Sequence, residues 1–180
     1  KGVVVVSNRA PIYFYDARGT YKLDILSHFD QANNTLITKQ QAQKHWLDRL
    51  GQWIDDNPLV DFILMSPTPD FEILYPQEVC SGEWFQNDNG RDYCSSTISS
   101  SKALKRHSEF SGELQRVSSM HSNAYFFDSF SAICPQETHN TAECSTHIGN
   151  TRLYADDNHL NFNGAQRVIN SLLEYIDLEE

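Results

Sequence analysis

A chain of 180 residues with 14 Lys plus Arg against 24 Asp plus Glu has a formal net charge of −10 at pH 7. That balance disfavours nucleic acids and anionic membrane surfaces as partners, since both recruit basic patches. A content of 39% hydrophobic and 12% aromatic residues is also too apolar for a disordered segment. One domain is the expectation, because a compact chain of this size buries about 70% of its unfolded surface.

The first residues are Lys1-Gly2 rather than a basic-then-apolar leader, so a signal peptide is expected to be absent from this stretch and the chain to be part of a longer one. Val3 to Val6 is a β-branched run ending in Ser7-Asn8, and it reads as a strand of a parallel sheet, buried on both faces. Ala10 to Thr35 gives no clear element. From Lys39 to Asp55, the three-and-four spacing of Ala42, Trp46, Leu47, Leu50, Trp53 and Ile54 predicts a helix that stops before Pro58. Val60 to Met65 is a second buried-strand run, closed by Ser66-Pro67-Thr68-Pro69. No apolar run approaches the roughly 20 residues that span a bilayer.

Residues 80–100 read as a long loop, and loops of that length usually carry a function or a staple. Ser101 to Met120 is expected to be helical, with Leu104, His107, Leu114, Val117 and Met120 on one stripe. Ala124 to Phe127 follows as a strand ending at Asp128, and Ala165 to Ile176 carries the spacing of a terminal amphipathic helix. Alternating strands and helices predict an α/β fold with a parallel sheet, in which ligands bind beyond the carboxyl ends of the strands. The valine run would then be a poor sheet edge, prone to pairing with another chain. The chain as it stands is therefore expected to lack two strands and to self-associate.

Four cysteines, Cys80, Cys94, Cys134 and Cys144, include no Cys-x-x-Cys pair, which argues against a zinc site. Of the three possible connectivities, local closure favours Cys80 with Cys94 and Cys134 with Cys144, and bridges would imply an oxidising compartment. The alternative is four buried thiols. The histidines His107, His121, His139 and His147 have no metal-ligand spacing, and no metal is expected.

The sharpest chemical signal is Leu153 to Ala165, immediately before the last helix, with Asp156 three residues before His159. An Asp at that spacing can hold one imidazole nitrogen and leave the other free, the base-and-orienter half of a hydrolytic triad. On spacing alone the pair is weak, because surface loops supply it by chance.

At these residues the sequence resembles the SGNH hydrolase superfamily, whose last block is an Asp-x-x-His loop leading into the terminal helix. More narrowly, it is similar to the extracytoplasmic SGNH domain at the carboxyl end of bacterial family-three membrane acyltransferases. Val3 to Arg9, Ser66 to Asp70 running to Cys80, and Phe127-Asp128-Ser129 running to Cys134-Pro135 and Cys144 fit that narrower match in order.

The resemblance implies a flavodoxin-like three-layer α/β sandwich and serine-dependent O-acyl transfer or ester hydrolysis, with O-acetyl chemistry expected, on a cell-envelope polysaccharide. It makes His159 the general base, Asp156 its orienter and Asn8 a donor to the oxyanion. Asp157 is the neighbour that competes with Asp156 for that role; otherwise it is a turn carboxylate or a cap. Arg9 stands where the wider superfamily often has Asp; it would face an anionic sugar or acyl group, or form a structural salt bridge.

The family's Gly-Asp-Ser block occurs nowhere in the 180 residues, so the nucleophile is expected upstream and the chain by itself is expected to be inactive. A fused or associated multi-span membrane domain would supply the acyl group, with no other cofactor. The location implied is the periplasm, or the extracytoplasmic face of the bacterial inner membrane. The rival reading is an inactive glycan-binding or scaffolding domain of the same fold.

Overall fold

The computed structural model describes residues 2–7, 28–30, 35–37, 39–71, 97–134, 143–155 and 159–179. The chain divides into two compact units, Lys1–Pro67 with Arg106–Phe127, and Thr68–Lys105 with Asp128–Glu180.

The first unit is built on a parallel sheet of β1 (Gly2–Val6), β4 (Val60–Met65) and β6 (Ala124–Phe127), in the order β1-β4-β6. A short antiparallel pair, β2 (His28–Asp30) with β3 (Thr35–Ile37), precedes helix α1 (Lys39–Asp55). Register is fixed by Val4 opposite Phe62 and by Leu64 opposite Phe126. Because strand side chains alternate, this places Val4, Val6, Phe62, Leu64 and Ala124 on one face.

Helix α1 and helix α2 (Ser100–Met120) cover that face. Leu47, Leu50 and Ile54 from α1 pack with Phe110, Leu114 and Val117 from α2 into one buried cluster. Both crossovers therefore put their helices on the same side of the sheet, as right-handed βαβ units that advance in one direction require. Trp46 meets Phe110 with ring centroids 5.8 Å apart, and Trp53 meets Phe62 edge-on at 5.0 Å.

At the amino ends of the strands, Asn123 Nδ2 donates to the carbonyls of Val60 at 2.9 Å, Asn57 at 3.2 Å and Ile54 at 3.4 Å. One amide thus gathers the end of α1, the turn after it and the start of β4. Beside it His121 Nδ1 lies 2.8 Å from Asp55 Oδ1. The imidazole rests over Gly51, where an added Cβ would sit 3.2 Å from Nε2.

Three expectations need correction. β1 is the edge of this sheet among the described residues, and Val3 and Val5 are 54% and 43% exposed. Within these residues it is therefore covered on one face, by the cluster that Val4 and Val6 join. On the α2 stripe, Met120 is 64% exposed, whereas Ala103 and Phe110 are buried. Residues 103, 107, 110, 114 and 117 follow the helical three-and-four spacing, and Met120 lies off that line. Finally, the expected loop over residues 80–100 ends in strand β5 (Thr97–Ser99), which pairs antiparallel with β7 (Glu143–Ser145). Alternation over three residues is too short to read as a strand without its partner.

Candidate functional site

The second unit carries the Asp-x-x-His segment, and its construction begins with the short helix α3 (Ser129–Ile133). Asp128 caps α3: its carboxylate accepts from the Ser131 amide at 3.4 Å and from the Ser131 hydroxyl. The helix ends at Cys134, which forms a disulfide with Cys144 in the middle of β7. Both half-cystines are fully buried, so β7 is covalently tied to the end of α3.

From β7 the chain enters a hairpin of β8 (His147–Ile148) and β9 (Thr151–Arg152), turning through Gly149 at φ +55°. That left-handed conformation suits glycine because a Cβ would crowd the backbone there. The His147 amide donates to Ser145 Oγ at 3.0 Å, and its Nδ1 lies 3.0 Å from Thr146 Oγ1. Burial, and then the nearby Arg152 guanidinium, lower the pKa of His147 below its usual value.

The segment beyond β9 is held at both ends. The Leu153 amide donates to Thr146 O at 2.8 Å, and the Asn161 amide returns to Leu153 O at 2.9 Å. Between them the Ala155 amide donates to His159 O at 2.7 Å, and Tyr154 bridges Leu160 antiparallel. Ala155 and His159 are thus joined backbone to backbone, with His159 exposed to solvent.

Arg152 underlies this loop. Its Nε donates to Tyr154 O at 2.6 Å and its Nη2 to Ala155 O at 3.3 Å, fixing the two carbonyls that precede Asp156. The Arg152 carbonyl in turn accepts from Asn161 Nδ2 at 2.9 Å and from Asn163 Nδ2 at 3.3 Å.

Asn161 also starts helix α4 (Phe162–Glu179), its Oδ1 accepting from the Gly164 amide at 3.1 Å. This is an N-cap bond, satisfying one of the amide donors that the first helical turn leaves without an intrahelical acceptor. Gly164 crosses the Leu153 backbone so closely that an added Cβ would lie 2.1 Å from Leu153 O. The helix is further seated by Arg167 Nε, which donates to Ala132 O at the end of α3.

Of the candidate residues, the structure describes His159 and the bonded pair Cys134 and Cys144. Asp156, Asp157, Asn8 and Arg9 lie outside the described residues, as do Cys80 and Cys94. Sequence reasoning had singled out the segment but not Arg152, Tyr154, Asn161 or Gly164. Asn161 stands just before an apolar-periodic run, the position of an N-cap, and could have been found that way. The close crossing at Gly164 leaves no mark in the sequence beyond the glycine itself.

One further feature lies elsewhere. A surface groove of about 490 Å³ on the first unit is lined by residues of α1 and α2. Its Lys44 pairs with Asp48 at 2.6 Å and its Arg116 with Glu113 at 2.9 Å, each within one helix. Among the described residues there is no cluster of three or more His, Cys, Asp or Glu that could hold a metal, and no helix long and apolar enough to cross a membrane.

Comparison with known proteins gives three findings. No curated protein matches. A solved structure from Streptococcus pneumonia, described provisionally as a platelet activating factor, is 16% identical, with a TM-score of 0.42 over 76% of this chain and 50% of that one. The chain therefore spans about half the length of that protein, and nothing is drawn from so distant a likeness. The model of the SGNH domain fused to AT3 domains matches residues 2–174. With nearly its whole length matched, and with a parallel sheet and helices as its framework, the chain belongs to the family of α/β SGNH domains that are joined to AT3 acyltransferase domains.

Proposed function

We propose that this domain carries out serine-dependent O-acyl transfer or ester hydrolysis, with O-acetyl groups on a cell-envelope polysaccharide as the substrate class. It would act outside the cytoplasmic membrane as part of a membrane acyltransferase. The observation that carries this reading is the braced segment, joined by the Ala155 to His159 bond, on which His159 is exposed to solvent. Family membership supports the acyl-transfer class.

In this reading His159 is the general base. It takes the proton of a serine hydroxyl as that oxygen attacks the acyl carbonyl, then gives the proton to the departing alkoxide. The acyl group is left as an ester on the serine until a sugar hydroxyl or water accepts it. Asp156 holds the imidazole tautomer, and Asn8 donates to the oxyanion. The serine belongs to a Gly-Asp-Ser block that the 180 residues do not contain, and an upstream part of the protein supplies it. The buried Cys134–Cys144 bridge is in keeping with an oxidising compartment.

The test is acetate release from an O-acetylated polysaccharide by the full-length protein and by its His159→Ala variant. The reading expects activity that falls by about 10²- to 10⁴-fold on loss of the base. A full-length protein without esterase or transferase activity, yet binding the polysaccharide, would move the assignment to a glycan-binding domain.

A further inference from the structure

Tyr154 is fully buried although its phenol is polar, and its ring and hydroxyl meet residues of one short stretch, 68–71. Its hydroxyl donates to Pro69 O at 2.8 Å and also engages the Thr68 side chain. Its ring meets Phe71 edge-on at 4.9 Å. Burial raises the phenol far above its usual pKa; the Thr68 hydrogen bond works against that shift, and the Asp70 charge adds to it. The group is therefore a permanent hydrogen-bond donor rather than an acid at working pH.

The backbone of the same residue belongs to the His159 loop. Its carbonyl takes the Arg152 Nε hydrogen bond at 2.6 Å, and it bridges Leu160, the residue after His159. Tyr154 thus joins two segments 85 residues apart in sequence. One is the loop that presents the imidazole. The other, 68–71, belongs to the same compact unit as that loop.

We propose that Tyr154 is a positioning residue for the acyl-transfer reaction: its hydroxyl fastens the His159 loop to the 68–71 segment and so sets where the imidazole stands. The proposal rests on the reading of His159 as the general base. Reaction rates are sensitive to such placement, since a displacement of about 1 Å can cost roughly 10²-fold. Arg152 fixes the loop from within, while the phenol fixes it to a second segment.

Tyr154→Phe in the full-length protein is the test, because it keeps the ring and its contact with Phe71 and removes one oxygen. Two readouts are taken. In acetate release, kcat falls by about 10- to 100-fold while KM stays within about twofold. In hydrogen–deuterium exchange read by mass spectrometry, amides 153–161 exchange at least about tenfold faster while the α1 and α2 amides keep their wild-type rates. Thr68→Val, which removes the second partner of the phenol, shifts both readouts in the same direction by less.

Wild-type exchange over 153–161 in Tyr154→Phe overturns the proposal, and so does an unchanged kcat in a protein that His159→Ala inactivates. A loss of kcat accompanied by accelerated exchange throughout the protein also overturns it, because that is a general loss of structure. An inactive wild-type protein, or an active His159→Ala variant, refutes the functional reading instead; the exchange data still judge whether the phenol anchors the loop.

Discussion

Gly164→Ala reports directly on how the His159 loop is held. In an ordinary helix the substitution stabilises, since Ala is preferred over Gly by about 0.8–1.0 kcal/mol. Here the new Cβ would stand 2.1 Å from Leu153 O, 2.9 Å from Leu160 Cδ2 and 3.1 Å from Leu153 C. The Leu160 side chain can turn away, but the Leu153 carbonyl cannot move freely because it accepts the Asn161 amide at 2.9 Å. Relief needs a backbone shift on the order of 1 Å, comparable to the overpacking that costs about 1–3 kcal/mol.

Breaking the Asn161 to Leu153 bond adds about 0.5–1.5 kcal/mol. Set against the helix-propensity gain, the net expectation is a loss of about 1–3 kcal/mol. Urea unfolding followed by circular dichroism on the purified protein measures it, with an unchanged m-value as the sign that the unfolded state is the same. The same shift should lower kcat at least about tenfold by moving His159. A variant as stable as the parent, or more stable, would refute the reasoning, because helix propensity would then outweigh the crossing.

Other outcomes follow from the same structure. Asn123→Ala strips three carbonyls of their shared donor, and thermal unfolding should report a loss of about 1–3 kcal/mol. Reducing Cys134–Cys144, which closes a sequence separation of 10, should cost roughly 2–3 kcal/mol on the chain-entropy account; denaturant midpoints with and without reductant measure it. His147 has a lowered pKa in the fold, so the unfolded chain binds its proton first as pH falls. Stability contributed by neutral His147 is complete above the usual value of 6.5, and declines as pH drops from there toward the folded-state value. His147→Gln should flatten that part of the stability–pH curve, and an unaltered slope between pH 7 and 5 would count against the assignment.

The sequence made the framework readable where one element carries its own period. The Lys39–Asp55 helix, the Val60–Met65 strand and the Ala124–Phe127 strand stand where their apolar spacing placed them, because each buries a stripe or a face long enough to repeat. Three-residue and two-residue strands do not repeat: β5, β7, β8 and β9 exist through their partners, and partners are not visible in a local window. Val3 to Val6 misled for a related reason, since a run of valines states that a strand forms but not which of its faces is covered.

At the site, the Asp156–His159 spacing drew attention to the segment before the last helix, although Asp156 itself lies outside the described residues. What braces His159 was not legible: Tyr154 reads as one more aromatic until Pro69 is brought to its hydroxyl, and Arg152 as a surface charge until the Tyr154 and Ala155 carbonyls fold over it. Tyr154 works through a contact made across 85 residues of chain and Arg152 through the local turn of the two residues after Leu153, and the type of residue alone announces neither.

The most direct measurement is the kcat of acetate release by the full-length protein beside that of His159→Ala at the same pH and folded fraction. The account predicts a fall of at least about 10²-fold with the circular dichroism spectrum unchanged. Equal turnover in the two proteins would contradict it, and would remove His159 from the chemistry.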